Sequence, residues 1–350
     1  MNKISSSQLF TLLLGVKMFS LICSVQSSNA EQMAGAALSA AFQILAAIPM
    51  IALYRQNKFS LSKEILFGKA GKLLYALYFI IWGAVSFGNL WGVTKSVYFP
   101  IDSSLTGTVI LAAVSIYAAS LGLKSVSRYS TVMLGFIILS VAVMILGAYP
   151  KADLSNFVPQ ASASGILKHG IRDFCSSGEL VMLFILLDSA NGNREKSTYN
   201  FFIWKLVLTE IICAIEITVL GRIMNIAEYP FFTAGAFSQP FSIQRADSLY
   251  MIVFTMLCVM TVTLQLVLSS SLIREVFPEL KYTGVISAVF MAGLSAAIRM
   301  MSLNIFPVMG ILIIILAVII PLIMFIRRKI GNEKNTASGI AADSAERVQS

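Results

Sequence analysis

The sequence predicts an all-α integral membrane protein with about ten transmembrane helices, and two observations support this. Of the 350 residues, 57% are hydrophobic and only 12% are charged, whereas a soluble domain is about 45–50% apolar and about 25% charged. Apolar stretches of about 20 residues, long enough to cross the hydrocarbon core of a bilayer, recur along the chain. The four cysteines lie inside these stretches without CxxC spacing, so we expect buried thiols rather than disulfides or metal ligands.

Ten spans account for the apolar stretches. They cover approximately residues 8–26, 32–54, 73–98, 104–121, 128–148, 165–188, 199–221, 246–272, 282–302 and 306–326. Residues 1–326 therefore form one predicted transmembrane domain, and the polar residues 327–350 form a predicted disordered tail. The spans divide into two repeats of five, about 8–148 and 165–326, and the first and sixth spans are both interrupted. Matching interruptions in two halves predict a 5+5 inverted repeat in which helices 1 and 6 are discontinuous.

The basic residues set the expected topology. With the N-terminus inside, the inner segments hold seventeen of the 26 lysines and arginines, the outer segments hold seven, and two lie within spans. This predicts that both termini are cytoplasmic. It also explains the net charge of +9 without nucleic acid. The start of the chain imitates a secretory signal sequence, but Lys17 lies at the centre of its apolar run, so we expect the first span to be retained.

The sixth span, Gly165 to Asp188, contains the most informative interruption. Its second half is unbroken hydrocarbon, and the two halves meet at Cys175, Ser176, Ser177, Gly178 and Glu179. In a membrane, the backbone groups freed by such a break must be satisfied inside the protein, so a break persists only where it lines a cavity. The sequence therefore predicts a small-solute site at this break.

Two charged residues near the interruptions have alternative interpretations. Lys17 is costly at bilayer depth, by about 2.5–3.5 kcal/mol, so it should face the interior with a partner. It either contacts a ligand carboxylate or replaces a coupling ion, or it forms a structural ion pair with Glu179 or Glu216. Glu179 begins the second half-helix, where it either binds a ligand ammonium, takes up a proton, or caps or pairs with its neighbours.

Other polar residues in the spans are weaker candidates. Asn89 in the third span and Thr255 in the eighth either line the site or make interhelical hydrogen bonds. Glu210 and Glu216 lie six positions apart, on different faces of one helix, so both cannot face one cavity. Segment 222–247 is too broken to span and too apolar for a free loop, which favours a hairpin or amphipathic piece over the outer vestibule, with a packed loop as the alternative.

Catalytic and cofactor motifs are missing from the sequence. It contains no P-loop, HExxH, nucleophile elbow or dinucleotide fingerprint in a usable context. It has one histidine and no cluster of metal ligands. We therefore expect neither an enzyme nor a metal or cofactor site.

Five short motifs occur in order along the chain. They are ISSSQLFTLLLG (4–15), GLKSVSRYS (122–130), DLSNFVP (153–159), the Gly-Glu pair at 178–179, and EYPFF…FSIQRAD (228–247). Together they resemble the B subunits of spore-germination receptors (GerAB type), within the amino acid–polyamine–organocation permease superfamily. The resemblance covers about residues 4–326.

This resemblance implies a LeuT/APC-like fold and a site at the two broken helices. Asn89 and Thr255 would complete the pocket from the third and eighth spans. The residues implied to hold the ligand's carboxylate and amine are Gly15, Val16, Lys17 and Met18 in helix 1, with Cys175, Ser176, Ser177 and Gly178 in helix 6.

Three functions remain open on the sequence alone. The resemblance implies a sensor that binds an amino acid or similar nutrient in the spore inner membrane and signals to A-type and C-type receptor subunits. A working amino acid permease, with alternating access and perhaps proton coupling through Glu179, is the second. A scaffold subunit that binds no ligand is the third.

Overall fold

The computed structural model describes residues 3–24, 30–55, 61–98, 104–157, 161–238, 247–301 and 303–330. In this part of the chain the protein is almost entirely helical. The α-helices are α1 (Ser6–Ile22), α2 (Ala30–Arg55), α3 (Leu61–Glu64), α4 (Lys69–Val93), α5 (Ser104–Ser120), α6 (Leu123–Ala148), α7 (Ala163–Ser176), α8 (Glu179–Ser189), α9 (Arg194–Leu220), α10 (Pro230–Phe237), α11 (Asp247–Val276), α12 (Thr283–Met300) and α13 (Phe306–Ile313).

Short irregular elements extend or connect these helices. Segments Thr94–Tyr98 and Ile314–Ile319 are π-helical and continue α4 and α13. Segments Tyr149–Lys151, Leu154–Asn156 and Gly221–Asn225 are 3₁₀-helical. Two short strands, β1 (Ile4–Ser5) and β2 (Ala190–Asn191), pair in parallel and join the start of α1 to the end of α8.

Six helices of the described residues are long and apolar enough to cross a membrane. They are Ala30–Arg55, Lys69–Val97, Leu123–Lys151, Ser248–Val276, Thr283–Met300 and Phe306–Ile330. Each of the ten predicted spans coincides with helical structure, although α1, α5, α7–α8 and α9 do not meet the same length and composition test. Large apolar side chains stay exposed around the bundle, among them Ile110, Leu139, Val289, Phe290 and Ile311. Such a surface fits an integral membrane protein.

Helix α1 lies in the centre of the bundle and differs from its prediction. Ser5 and Gln8 form a reciprocal capping box that starts the helix. From there α1 runs without interruption to Ile22, so the predicted break at Gly15–Met18 is wrong in this structure. Gly15 is an interface residue instead, since a side chain there would collide with Met260 of α11. The chain needs the glycine for close helix packing, not for a change of direction.

The structure also bears on two further predicted segments. The predicted tail begins too early, because the helix that starts at Phe306 continues to Ile330, and Arg328 contacts Glu64 at 3.2 Å. The outer segment contains α10, whose Phe231 and Phe232 are buried against the bundle. Residues 239–246 of that segment lie outside the described residues.

Candidate functional site

The sixth predicted span is formed by α7 and α8, with Ser177 and Gly178 between them outside the helices. Ser162 starts α7 by accepting a hydrogen bond from the backbone N–H of Gly165. At the other end, the Ser177 N–H donates to the Phe174 carbonyl, and its hydroxyl donates to the Asp173 carbonyl at 2.8 Å. The Ser177 carbonyl accepts from the N–H of Leu180. Local partners thus satisfy the polar groups at this turn, as a buried site in a membrane protein requires.

Gly178 allows an aromatic side chain to lie directly against the turn. A Cβ added at Gly178 would lie 2.7 Å from the indole ring of Trp82 on α4. The backbone angles of Gly178, φ −61° and ψ −20°, are open to any residue. Space, not backbone conformation, is therefore the reason for glycine at this position.

Beside the turn lies a set of polar residues that we call the buried charge network. Its members are Lys17, Gln43, Asp173, Ser177, Glu179 and Lys205. The Lys17 ammonium contacts Oδ1 of Asp173 at 2.7 Å, and the two side chains are 3% and 23% exposed. This pair connects α1 to α7. Lys17 is in an ion pair, as one of the two alternatives predicts, but its partner is Asp173 and not Glu179 or Glu216.

Lys205 on α9 is the second ammonium of the network. It contacts Oε1 of Glu179 at 2.5 Å and donates to Oε1 of Gln43 and to the hydroxyl of Ser177. The amide of Gln43 in turn donates to Ser177 at 2.7 Å. Glu179 therefore pairs with Lys205. The N-cap of α8 is Gly178, so no side chain caps this helix. Two lysines and two carboxylates balance each other, which makes their burial tolerable.

A cavity of about 500 Å³ adjoins the network and lies between α1, α2, α4, α7, α9, α12 and α13. The lining mixes apolar side chains with polar ones. Its polar residues include Ser20, Gln32, Ser86, Asn89, His169, Arg172, Asp173, Ser176, Thr209, Ser295 and Arg299. Asp173 belongs to both the cavity wall and the network. A largely apolar cavity with a few convergent polar groups is typical of a small-molecule site.

The cavity includes only some of the predicted site residues. Asn89, Cys175 and Ser176 line it. The others do not: Gly15, Val16, Lys17, Met18, Ser177, Gly178, Glu179 and Thr255. The first span contributes residues just beyond the predicted position: Phe19, Ser20 and Leu21 at the end of α1, and Cys23 and Ser24 after it. Because α1 is continuous, its backbone N–H groups at Gly15–Met18 are within helical hydrogen bonding and offer no donors to a ligand.

Sequence reasoning missed the charged residues of the cavity wall. Arg172 of α7 and Arg299 of α12 line the cavity, and both residues are exposed. The guanidinium of Arg299 lies 3.5 Å from the ring centroid of Trp91, and that of Arg172 lies 6.0 Å from that of Phe306. Arg172 lies in the first half of the sixth predicted span and Arg299 near the end of the ninth, where a basic residue is also explained by topology.

Glu216 stands apart from the network. It is fully buried in α9, and neither carboxyl oxygen has a hydrogen-bond partner within the described part of the chain. Glu210, on another face of α9, is partly exposed, as the six-residue spacing predicts. Neither residue lines the cavity. Among the residues that the structure describes, no group of histidine, cysteine, aspartate and glutamate is placed to hold a metal ion.

Comparison with known families decides the classification. The spore permease profile, described as a spore germination protein, matches residues 3–305. The chain belongs to this family. The resemblance in the sequence motifs is thereby confirmed, and the family and fold are those of a membrane transporter or receptor, not an enzyme. No curated protein matches the chain.

Solved structures share the fold at low sequence identity. One is Mhp1, a nucleobase-cation-symport-1 family transporter, in a closed conformation with bromovinylhydantoin bound. The match has a TM-score of 0.56 at 14% identity and covers 89% of this chain and 78% of that one. The inward-facing conformation of Mhp1 matches with a TM-score of 0.51 at 15% identity, over 90% and 75% of the two chains. At these identities the similarity establishes the transporter-like fold alone.

Proposed function

We propose that this spore germination protein is the membrane subunit of a germinant receptor, which binds an amino acid or similar small nutrient and signals to A-type and C-type partner subunits. The observation that carries the proposal is the cavity of about 500 Å³ whose wall includes Asp173, a member of the buried charge network. A cavity of this size holds a small metabolite. The proposed location is the spore inner membrane or cell membrane, with ten spans, a 5+5 inverted repeat and both termini inside.

In this proposal the predicted site residues have two different roles. Asn89, Cys175 and Ser176 contact the ligand from the cavity wall. Lys17 and Glu179 do not line the cavity but position the residues of the site: Lys17 through its ion pair with Asp173, and Glu179 through its ion pair with Lys205. A ligand that engages the Asp173 side of the cavity would thus act on the ion pair between α1 and α7. A change that reaches partner subunits requires the ligand to bind one arrangement of these helices better than another.

A working permease is the second candidate, and the fold similarity to the transporter Mhp1 favours it. Mhp1 is known in closed and inward-facing conformations. Alternating access in this chain would open the cavity to each side of the membrane in turn. Both candidates use the same ligand site and differ in whether ligand crosses the membrane.

Two assays on the same protein separate the candidates. Ligand binding is measured on the purified full chain in nanodiscs with a panel of amino acids and small organic acids, and concentrative uptake is measured in proteoliposomes. Binding without uptake, together with germination in receptor-deficient spores only when the A-type and C-type subunits are co-expressed, supports the sensor. Concentrative uptake without those subunits supports the permease. Failure of every compound to bind would contradict both candidates and leave the scaffold role.

A further inference from the structure

We propose that the ligand of this cavity is a small carboxylate with a net negative charge, such as a dicarboxylate or an acidic amino acid, and that Arg299 and Arg172 select it. This inference rests on the proposed function, since it names the ligand class of the same cavity. It depends on three observations: the placement of the two guanidiniums, the state of the neighbouring carboxylates, and the continuity of α1.

Arg299 is held in a geometry suited to carboxylate binding. Its guanidinium lies over the face of Trp91, 3.5 Å from the ring centroid, at the C-terminal end of α12. Stacking on an aromatic face uses the plane of the guanidinium and leaves the N–H donors at its edges. Those donors form a fixed fork that matches the two oxygens of a carboxylate. The ammonium of Lys95, 4.9 Å from the same ring centroid, adds positive charge nearby.

Arg172 brings a second guanidinium to the wall of the cavity from another helix. It lies on α7, one residue before Asp173, and its guanidinium is 6.0 Å from the ring centroid of Phe306. Within the described residues, neither Arg172 nor Arg299 forms a salt bridge with a carboxylate. Two guanidiniums that line one cavity without a protein counter-ion favour an anionic occupant, because clefts lined by one sign of charge concentrate the opposite charge.

The carboxylate in the cavity lining and that of Glu31 already have partners. Asp173 is the one carboxylate in the lining among the described residues, and its Oδ1 is bound by Lys17 at 2.7 Å. Glu31 accepts hydrogen bonds from the N–H and hydroxyl of Ser162. An ammonium group on the ligand would have to compete with Lys17 for Asp173, whereas a carboxylate meets unpaired guanidiniums. The cavity is therefore matched to a ligand of net negative charge and not to a zwitterion without net charge.

The continuity of α1 excludes backbone recognition of a carboxylate from that helix in this structure. The N–H groups of Gly15–Met18 lie inside a regular helix, so they are not available to a ligand. Recognition of a carboxylate from these surroundings then depends on side chains. The side chains of suitable charge in the lining are those of Arg172 and Arg299, beside His169.

The test compares ligands matched in size and differing in charge. The full chain in nanodiscs of zwitterionic lipid is titrated with L-glutamate and L-glutamine, and with succinate and succinamate, at constant ionic strength. The variants are Arg299→Gln, Arg299→Lys and Arg172→Gln. Arg274→Gln serves as the matched control, because Arg274 is an exposed arginine at the other end of the bundle, near the end of α11.

We expect the charged member of at least one pair to bind at least tenfold more tightly than its neutral partner. Arg299→Gln should reduce that preference at least tenfold, Arg299→Lys should reduce it partly because the fork is lost while the charge is kept, and Arg274→Gln should leave it unchanged. Retention of the wild-type melting temperature in Arg299→Lys separates loss of recognition from loss of folding.

Equal binding of charged and neutral partners by the wild type would overturn the inference while leaving the proposed function intact. The same holds if Arg299→Gln and Arg172→Gln both keep the full preference. If none of these compounds and no member of the wider amino acid panel binds, the proposed function itself fails.

Discussion

Replacing Lys205 with methionine tests whether the buried charge network holds the bundle together. Lys205 and Glu179 are 3% and 0% exposed, and their charged atoms lie 2.5 Å apart. The Lys205→Met variant leaves the Glu179 carboxylate buried without its cation. Breaking a buried pair in this way costs about 3–5 kcal/mol. At about 2–4 °C per kcal/mol, the apparent Tm should fall by roughly 6–20 °C.

The double variant Lys205→Met/Glu179→Gln identifies the cause of this loss. It removes both charges of the pair, so neither a buried ammonium nor a buried carboxylate is left without its counter-ion. We expect the double variant to regain at least half of the lost Tm, because replacing a buried pair costs far less than breaking it. The assay is thermal unfolding of purified protein in one detergent at one scan rate, since unfolding of membrane proteins in detergent is a kinetic measurement.

An exposed ion pair provides the control. Arg55 and Glu195 lie 3.4 Å apart with side chains 79% and 40% exposed, so Glu195→Gln should change the Tm by less than about 2 °C. A Lys205→Met protein as stable as this control would refute the reasoning. So would a double variant that is less stable than Lys205→Met alone, because the two charges would then not be acting as a pair.

Two further predictions concern the turn and the cavity. Gly178→Ala should destabilise the protein by about 1–3 kcal/mol, because the added methyl group collides with Trp82. Gly293→Ala is the control and should be neutral or slightly stabilising, because Gly293 faces open space on α12. Equal melting temperatures for the two variants would contradict this steric argument. In single-cysteine variants, a small water-soluble thiol reagent should modify Cys175 at least tenfold faster than Cys258, because Cys175 lines the cavity and Cys258 is buried against α4. Mass spectrometry gives the rates of modification. Equal rates would mean that the cavity is closed to solvent.

Local sequence signals were sufficient for the helices and for the turn in the sixth span. Small polar residues and a glycine between two apolar halves predict that turn from adjacent positions, and the non-helical residues are Ser177 and Gly178. The same type of signal failed in α1. Gly15 is explained by contact with Met260, and Lys17 by an ion pair with Asp173, 156 positions away. A glycine and a lysine in an apolar run have the same appearance in a broken helix and in a packed one.

The ion-pair and hydrogen-bond partners inside the bundle are far apart in the sequence, so neighbouring residues do not reveal them. Lys205 and Gln43 are separated by 162 positions, and their contact follows from the packing of α2 against α9. Four charged residues in the spans can form ion pairs in more than one combination: Lys17, Asp173, Glu179 and Lys205. The sequence shows that they must pair, because isolated charges at membrane depth are too costly. It does not show which lysine meets which carboxylate.

Asp173 gives the site and the network a common element. It lines the cavity, it is bound by Lys17, and its backbone carbonyl accepts from the hydroxyl of Ser177, which also binds Lys205. Any occupant of the cavity that attracts or displaces the Asp173 carboxylate must change the balance between Lys17 on α1 and Lys205 on α9. Because buried charges tolerate few arrangements, such a change favours a different position of the helices that carry them. Under the proposed function, the network would convert occupancy of the cavity into helix movement, which both a sensor and a transporter require.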